Sequence, residues 1–487
     1  MTDKTGKQPD YSTEVQAYLR DESGLVGQAE AICFPKSIAE IQYAVFHARE
    51  KGMGITIQGA RTGLCGGAVP GGGLILNLSR MNGILGFAYD ESRGTGAITL
   101  QAGVTLGQLK ELLQKKTMDT SFLSEQDLLA WERYQKGKQI LCFLPNPTEQ
   151  NATLGGIAAT AAMGSHMAQD EIFAHHILKM KIVLGSGEML EISGDKTQQE
   201  NLELLAFCGT EGTLGVGAEL TLKLYRQPDY CCGFFSFHHT LASMEAFYRS
   251  FAANTKEKNI QVAAVDWFSA SCFTLMEKER ELLSKKDMSV YFPQKACCAL
   301  WVELWGNEEQ ALYEGLEIAL EQMETEDGFN EVPLRRRRLH KRPFLTQLAA
   351  FGKVEMERLE SVRHLVTEAA NLHNGEGSAL LDWQQKSQPL EAVEKIEKLL
   401  DTGRAAYVLM GHLTCGANHL RVLADAQKWK GQVVQILHVL GCRYGQEHGC
   451  GQLKWDLLKA LSPTRAEKWE TMKRQQDPEG MLNRMIL

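Results

Sequence analysis

An ordered series of glycine and proline segments limits what this chain can fold into more than any other feature. The first is Gly59-Ala60-Arg61-Thr62-Gly63-Leu64-Cys65-Gly66-Gly67-Ala68-Val69-Pro70, which follows a short strand-like stretch at residues 55–58. A dinucleotide-binding turn of the G-x-G-x-x-G type would open straight into a helix. Here a proline and three more glycines follow instead, and no phosphate loop with a Gly-Lys-Ser/Thr ending occurs. Such a loop can still wrap a pyrophosphate, because backbone N–H groups approach closely where no Cβ intervenes. Taken alone, it reads equally well as a structural turn. Three further segments follow in order: Leu144-Pro145-Asn146-Pro147, Ala152-Thr153-Leu154-Gly155-Gly156-Ile157-Ala158-Ala159, and Gly209-Thr210-Glu211-Gly212-Thr213-Leu214-Gly215-Val216.

Between these segments the first half reads as short strands and helices. Residues 37–51 have a helical pattern with Ile38, Ile41, Val45 and Ala48 on one face, and residues 105–113 form a second helix. Residues 177–184 and 188–192 read as a hairpin, and 218–224 as a strand. Glycine density falls after Pro228, where longer helical patterns begin at residues 308–324, 354–372 and 390–400. At 487 residues, two or three domains are expected. We divide the chain at 1–228, 229–425 and 426–487, the last a helical segment that returns to the first domain.

A formal charge of -8 argues against nucleic acid as a partner, since phosphate binding needs a cationic face. The run Arg335, Arg336, Arg337, Arg338, with Lys341 and Arg342, reads as a solvated face or a contact for an acidic partner. The twelve cysteines are scattered without a C-x-x-C, and residues 1–11 are polar with no apolar signal core. Both favour a reducing cytoplasm, and the cysteine spacing disfavours an iron–sulfur cluster. No apolar run approaches the roughly 20 residues that span a bilayer.

The four ordered segments resemble the FAD-binding half of the vanillyl-alcohol-oxidase superfamily, the PCMH-type flavin fold, over about residues 25 to 226. The resemblance implies an α+β fold: a PCMH-type FAD-binding domain of two α+β subdomains plus an α+β cap domain for substrate. It also implies that Gly59, Ala60, Arg61, Thr62, Gly63, Leu64, Cys65, Gly66 and Gly67 hold the FAD pyrophosphate. Pro145 and Thr153, Gly155, Gly156 and Ile157 would lie beside it, and Gly209, Glu211, Gly212, Gly215 and Val216 at the adenine and ribose end. Arg61 stands where a small residue is usual, and either reaches a phosphate or points to solvent. Covalent members carry a histidine in or beside the first loop; this chain has none there, so its FAD is expected to be non-covalent.

A second constellation lies near the C-terminus. An apolar strand at residues 406–410 leads into Gly411-His412-Leu413-Thr414-Cys415-Gly416-Ala417-Asn418-His419, followed by a strand at 420–423. With a turn at residues 414–417, the two histidines can meet on one side of a hairpin. They read either as a hydrogen-bonded pair or as ligands of a Lewis-acid metal. Then come Gly445-Gln446-Glu447-His448-Gly449 and the closing Asp477-Pro478-Glu479-Gly480-Met481-Leu482-Asn483. Both resemble the C-terminal motifs of the D-lactate dehydrogenase, glycolate oxidase and D-2-hydroxyglutarate dehydrogenase branch.

That resemblance implies a divalent zinc, iron or manganese on His412, His419 and Glu447, His448 as base, and Arg363 forking onto the substrate carboxylate. It places Asn483 among the cofactor-binding residues. The implied reaction is FAD-dependent oxidation of a small D-2-hydroxy acid, D-lactate or glycolate first, with electrons passing to an electron-transfer flavoprotein or an iron–sulfur subunit. The chain departs from the branch in four places: Cys415 replaces an acidic residue, the asparagine of the loop comes one place late at Asn418, Ser378 stands for a lysine, and Arg484 for the final proline. Two other readings therefore stay open: an FAD enzyme acting on another alcohol without metal, and a catalytically weak FAD-binding electron-transfer subunit.

Overall fold

The computed structural model describes residues 10–487 apart from 167–172, 195–203, 205, 259, 285–295, 326–348, 352, 376, 386–389 and 446. The arginine run from Arg335 to Arg338, with Lys341 and Arg342, lies outside the described residues. The chain divides into two compact units: residues 1–164, 171–227 and 446–487 form the first, and 165–170 with 228–445 the second.

The first unit opens with β1 (Asp10–Ser12), β2 (Ala31–Phe34), α1 (Ile38–Glu50), β3 (Ile55–Gln58) and β4 (Leu74–Asn77), the strands ordered β1-β2-β4-β3. Ser37 caps α1 by accepting from the Glu40 N–H, and Ile41, Ala44, Val45 and Ala48 form its buried face. β3 and β4 are parallel neighbours, so their connection must cross over rather than turn tightly, which takes a dozen or more residues. That crossover is the first glycine loop.

A second sheet is built from β5 (Ile84–Asp90), β6 (Thr95–Gln101), β7 (Leu141–Cys142), β8 (Ile177–Val183), β9 (Met189–Ser193) and β10 (Val216–Arg226). Its order is β5-β6-β10-β8-β9, with β7 paired to the end of β10. β10 buries Val216, Ala218, Leu220, Leu222 and Leu224 at period two. α2 (Leu106–Lys115) starts at a Thr105–Gln108 capping box and, with α3 (Glu125–Lys136) and α4 (Leu154–Thr160), adds Leu109, Trp131, Tyr134 and Ile157 to the core of this sheet. The C-terminal tail docks on the first sheet: Leu482 bridges Ile55, and Met481 and Leu482 join the core around α1. The Asp477 carboxylate holds this turn by accepting from the N–H groups of Met481 and Leu482 at 3.0 and 2.8 Å.

The second unit is organised on a sheet ordered β14-β11-β13-β12-β16-β17-β15-β18. Its elements in chain order are β11 (Tyr230–His238), α5 (Leu241–Glu257), β12 (Gln261–Ser269), α6 (Ala270–Lys278), β13 (Cys298–Gly306), α7 (Glu309–Thr325), β14 (Ala349–Phe351) and α8 (Lys353–Asn371). They continue with β15 (Ala379–Gln384), α9 (Glu391–Thr402), β16 (Tyr407–His412), β17 (Ala417–Val422), α10 (Ala426–Val439) and β18 (Arg443–Tyr444). Consecutive strand residues take opposite faces. Phe234 meets Phe247 and Phe251 of α5 edge-on, while Phe235 joins a core with Cys272 of α6 and Val362, Val366 and Ala369 of α8.

Residues 426–445 correct the sequence division. We placed them with the tail, but β18 pairs with β15 at the edge of the second sheet, and Trp429 of α10 packs against Gly403, where even a Cβ would meet the indole at 1.9 Å. The return to the first unit therefore comes at residue 446. Among the described residues, no helix is long and apolar enough to cross a membrane.

Candidate functional site

In the first unit, three of the ordered segments and the Glu447-His448 stretch converge through glycine contacts. A Cβ at Gly59 would lie 2.2 Å from Thr153 Oγ1, so only glycine lets the first loop reach the cap of α4. A Cβ at Gly67 would lie 2.8 Å from Glu211 Oε2, and one at Gly449 3.1 Å from the same oxygen. Glu211 is buried with φ at +51°. Its carboxylate accepts from the N–H groups of Cys450 at 2.5 Å and Gly451 at 3.0 Å. Burial pushes this carboxyl above its ordinary range, against the opposing pull of those two donors. Glu447 accepts from the Gly164 N–H at 3.1 Å, and His448 beside it is half-buried.

In the second unit, β16 and β17 form the expected hairpin with its turn at residues 413–416, one place earlier than the sequence reading. His412 pairs with Ala417 and Met410 with His419, so the histidines share a face, two residues out of step, with ring centroids 5.4 Å apart. Each ring is held at Nδ1 by a buried carboxylate. Asp266 Oδ1 lies 2.5 Å from His412, and Asp382 Oδ1 lies 2.9 Å from His419. A carboxylate at Nδ1 selects the tautomer with its proton there and its lone pair on Nε2. Asn418 takes the opposite face, where it accepts from the Trp267 indole at 3.2 Å and braces the hairpin.

Arg363, on α8, belongs to the same cluster. Its Nε lies 2.8 Å from Asp266 Oδ2, and its guanidinium sits 5.3 Å from the centre of the Trp301 ring. Burial raises the Asp266 carboxyl, but His412 and Arg363 outweigh it and hold the group below its ordinary range. The acid of the next strand, Glu303, bonds His166 Nε2 at 2.7 Å and the Trp305 indole at 2.6 Å, and is likewise held low by His166 against its burial.

Two family models match the sequence: "FAD binding domain" over residues 29–125 and "FAD linked oxidases, C-terminal domain" over residues 240–486. The second match alone spans half the chain. The chain belongs to the FAD-linked oxidases.

Curated relatives of this FAD-linked oxidase include a D-lactate dehydrogenase of Anaerostipes hadrus, 32% identical over 43% of this chain and 40% of that one. That alignment covers less than half of the relative's length. A mitochondrial D-2-hydroxyglutarate dehydrogenase of Danio rerio is 24% identical over 94% of this chain and 78% of the relative. A D-lactate dehydrogenase of Archaeoglobus fulgidus is 23% identical over 92% and 89%. Among solved structures, an alkyldihydroxyacetonephosphate synthase superposes with a TM-score of 0.58 at 14% identity, covering 94% of this chain and 76% of that one. At that identity the likeness shows the fold, which is the PCMH-type flavin fold.

This FAD-linked oxidase is thus an FAD-dependent oxidoreductase. Among the described residues, the N–H groups of Thr62, Gly63 and Gly67 donate to no protein acceptor, and a Cβ at Gly63 would meet nothing closer than 3.9 Å. Such open backbone donors suit a phosphate. Arg61 neither extends outward nor lies idle: its guanidinium stacks 4.7 Å above Tyr18 and bonds the Ala17 carbonyl. The N–H groups of Leu154 and Gly155 bond the carbonyls of Val104 and Ala102, and a Cβ at Gly155 would strike Ala102 at 2.6 Å. These glycines allow close packing of α4.

Several other residues of the FAD half have structural work. Pro145 is buried, next to an Asn146 whose N–H bonds Met163. Gly215 packs on Ile182 where β10 begins at Val216. Asn483 uses both ends of its amide, accepting from Ile57 N–H at 2.8 Å and donating to the Glu211 carbonyl at 2.5 Å. It ties strand β3 to the Gly209–Val216 segment. Ser165, His166, Asp266 and Glu303 were missed in the sequence. For Asp266 a signal existed: it is the one charge in the run Val262-Ala263-Ala264-Val265-Asp266-Trp267-Phe268.

Proposed function

We propose that this oxidoreductase converts a small D-2-hydroxy acid to its 2-oxo acid, with D-lactate and glycolate as the first substrates to test. The observation that carries the reading is the His412–His419 pair, each ring fixed at Nδ1 by a buried carboxylate. This carboxylate–histidine arrangement is the usual support of imidazole metal ligands. With Glu447 as a carboxylate ligand, two imidazoles suit zinc, iron or manganese.

A divalent metal held there would make the substrate hydroxyl more acidic. FAD, when bound, would supply the acceptor for the α-hydride. Arg363 binds the substrate carboxylate and so chooses which face of the α-carbon is presented. His448 takes the hydroxyl proton on its imidazole, a group whose ordinary pKa near 6.5 suits proton uptake at neutral pH. A partner of the electron-transfer flavoprotein or iron–sulfur class would take the electrons onward; the lack of a C-x-x-C in the chain supports this. The twelve unbridged cysteines support a cytoplasmic setting.

Chelation tests this reading. FAD-loaded protein dialysed against EDTA should lose at least about tenfold in turnover of a D-2-hydroxy acid, a loss that one of zinc, manganese or ferrous iron restores. Unchanged turnover in protein shown by elemental analysis to be stripped of metal would contradict the metal-assisted reaction.

A further inference from the structure

We propose that Asp266 is a positioning residue that sets two groups at once, the ring of His412 and the guanidinium of Arg363; this rests on the proposed hydroxy-acid reading. Asp266 sits on β12, between β13 and β16, directly opposite His412 in the register and opposite Trp301 on its other side. It is 2% exposed within the otherwise apolar run at residues 262–268. A carboxylate in that position is stable only if its oxygens are fully engaged. Oδ1 takes His412 Nδ1 at 2.5 Å, while Oδ2 takes Arg363 Nε at 2.8 Å and the Ser165 hydroxyl at 2.8 Å.

The choice of atoms matters. Asp266 engages Arg363 through Nε, the inner nitrogen, so the contact fixes the plane of the guanidinium and aims its outer Nη edge. The Trp301 ring at 5.3 Å limits rotation about that contact. Glu303, the neighbouring acid on β13, is itself bonded by His166 and Trp305. Asp266 is the carboxylate in contact with Nε of Arg363, while Glu303 feels the same guanidinium through its charge. On its other oxygen it holds the His412 proton at Nδ1, which keeps the lone pair on Nε2.

One carboxylate thus orients a metal ligand and the arginine assigned to the substrate carboxylate. The two binding events should then weaken together when it is changed. Asn at 266 keeps the volume but presents an NH2 where one donor now points. Either the contact to Arg363 is lost, or His412 must accept at Nδ1 and carry its proton on Nε2, where it cannot bind metal.

The test uses the FAD-loaded full chain, with zinc alone and then oxalate at saturating zinc as probes. Zinc affinity is read by competition with a chromogenic chelator, and oxalate affinity by calorimetry. We expect Asp266→Asn to lose about 10- to 100-fold in zinc affinity, the range for outer partners of metal ligands. Oxalate affinity should fall in parallel, by about tenfold or more. Ser165→Ala removes only the third bond and should weaken both in the same direction by a few fold; it carries the test if Asp266→Asn fails to fold.

Zinc and oxalate affinities within twofold of wild type in a folded Asp266→Asn protein would overturn the inference and leave the hydroxy-acid reading standing. If Asp266→Asn does not fold, unchanged affinities in Ser165→Ala overturn it likewise. Failure of the wild-type protein to bind zinc would instead overturn the metal reading, and the inference with it.

Discussion

His419→Ala is expected to abolish metal binding and to lower kcat/KM on a D-2-hydroxy acid by at least about 10³-fold, roughly 4 kcal/mol of transition-state stabilisation. The ring is 5% exposed, and its partner Asp382 is fully buried on β15, directly opposite it in the register. Removing the imidazole takes away a ligand and also the hydrogen-bond donor of a buried carboxylate. The second loss costs about 1–3 kcal/mol, or more because the acceptor is charged, where nothing replaces the donor. The variant should therefore melt earlier than wild type as well as lack metal. His419→Gln, which keeps a polar group near Asp382, should recover much of the thermal midpoint but little of the turnover. Elemental analysis, a melting curve and steady-state rates separate the two effects. Near-wild-type turnover in a metal-free His419→Ala protein would remove this residue from the site.

Glu211→Ala should be as damaging in the first unit, through a different route. The carboxylate is the acceptor for the N–H groups of Cys450 and Gly451, and Gly67 and Gly449 are small enough to let it in. Truncation leaves two interior donors without this acceptor, at about 1–3 kcal/mol each. It also loosens the packing of the first glycine loop against the stretch that carries Glu447 and His448, leaving the bonds of Gln452 to Gly66 and Val69 and of Leu453 to Cys65. We expect a loss of about 4 kcal/mol in stability and protein that purifies with much less FAD than wild type. Glu211→Gln should recover only part of this, because its NH2 would face a donor. Denaturant melts and the flavin-to-protein absorbance ratio measure both. A Glu211→Ala protein with full flavin content would show that the loops are held together by other contacts.

The parts of this molecule legible in the sequence are those written in local turn chemistry. The glycine loop was readable because an N-terminal strand ran into it and no helix followed; the fold explains this as a long crossover between parallel β3 and β4. The histidine hairpin was readable because two strand-like runs flank a glycine-containing turn, and period two then puts His412 and His419 on one face. The groups that give those histidines their chemistry were not readable. Asp266 lies 146 residues from His412 and 101 from Ser165, and His166 lies 137 from Glu303, so no spacing rule connects them.

Sheet register joins Asp266 to His412, and it is set by the whole sheet; Ser165 and His166 lie outside the strands and reach Asp266 and Glu303 from a connecting segment. At Arg61 and Asn483 a motif position was legible, but the contacts its side chain makes within the protein were not. Arg61 is turned onto Tyr18, and Asn483 is a clamp between Ile57 and Glu211. The domain return at residue 446 was missed because β18 is only two residues long and pairs at a sheet edge.

The central claim is tested most directly by following the absorbance of the bound flavin, without oxygen, as D- and L-2-hydroxy acids are added one at a time to metal-replete protein. Rapid bleaching by a D-acid, with its L-enantiomer much slower, is the expected result. Flavin that stays oxidised with every hydroxy acid, although the protein holds both FAD and metal, would leave the fold in place and contradict the proposed reaction.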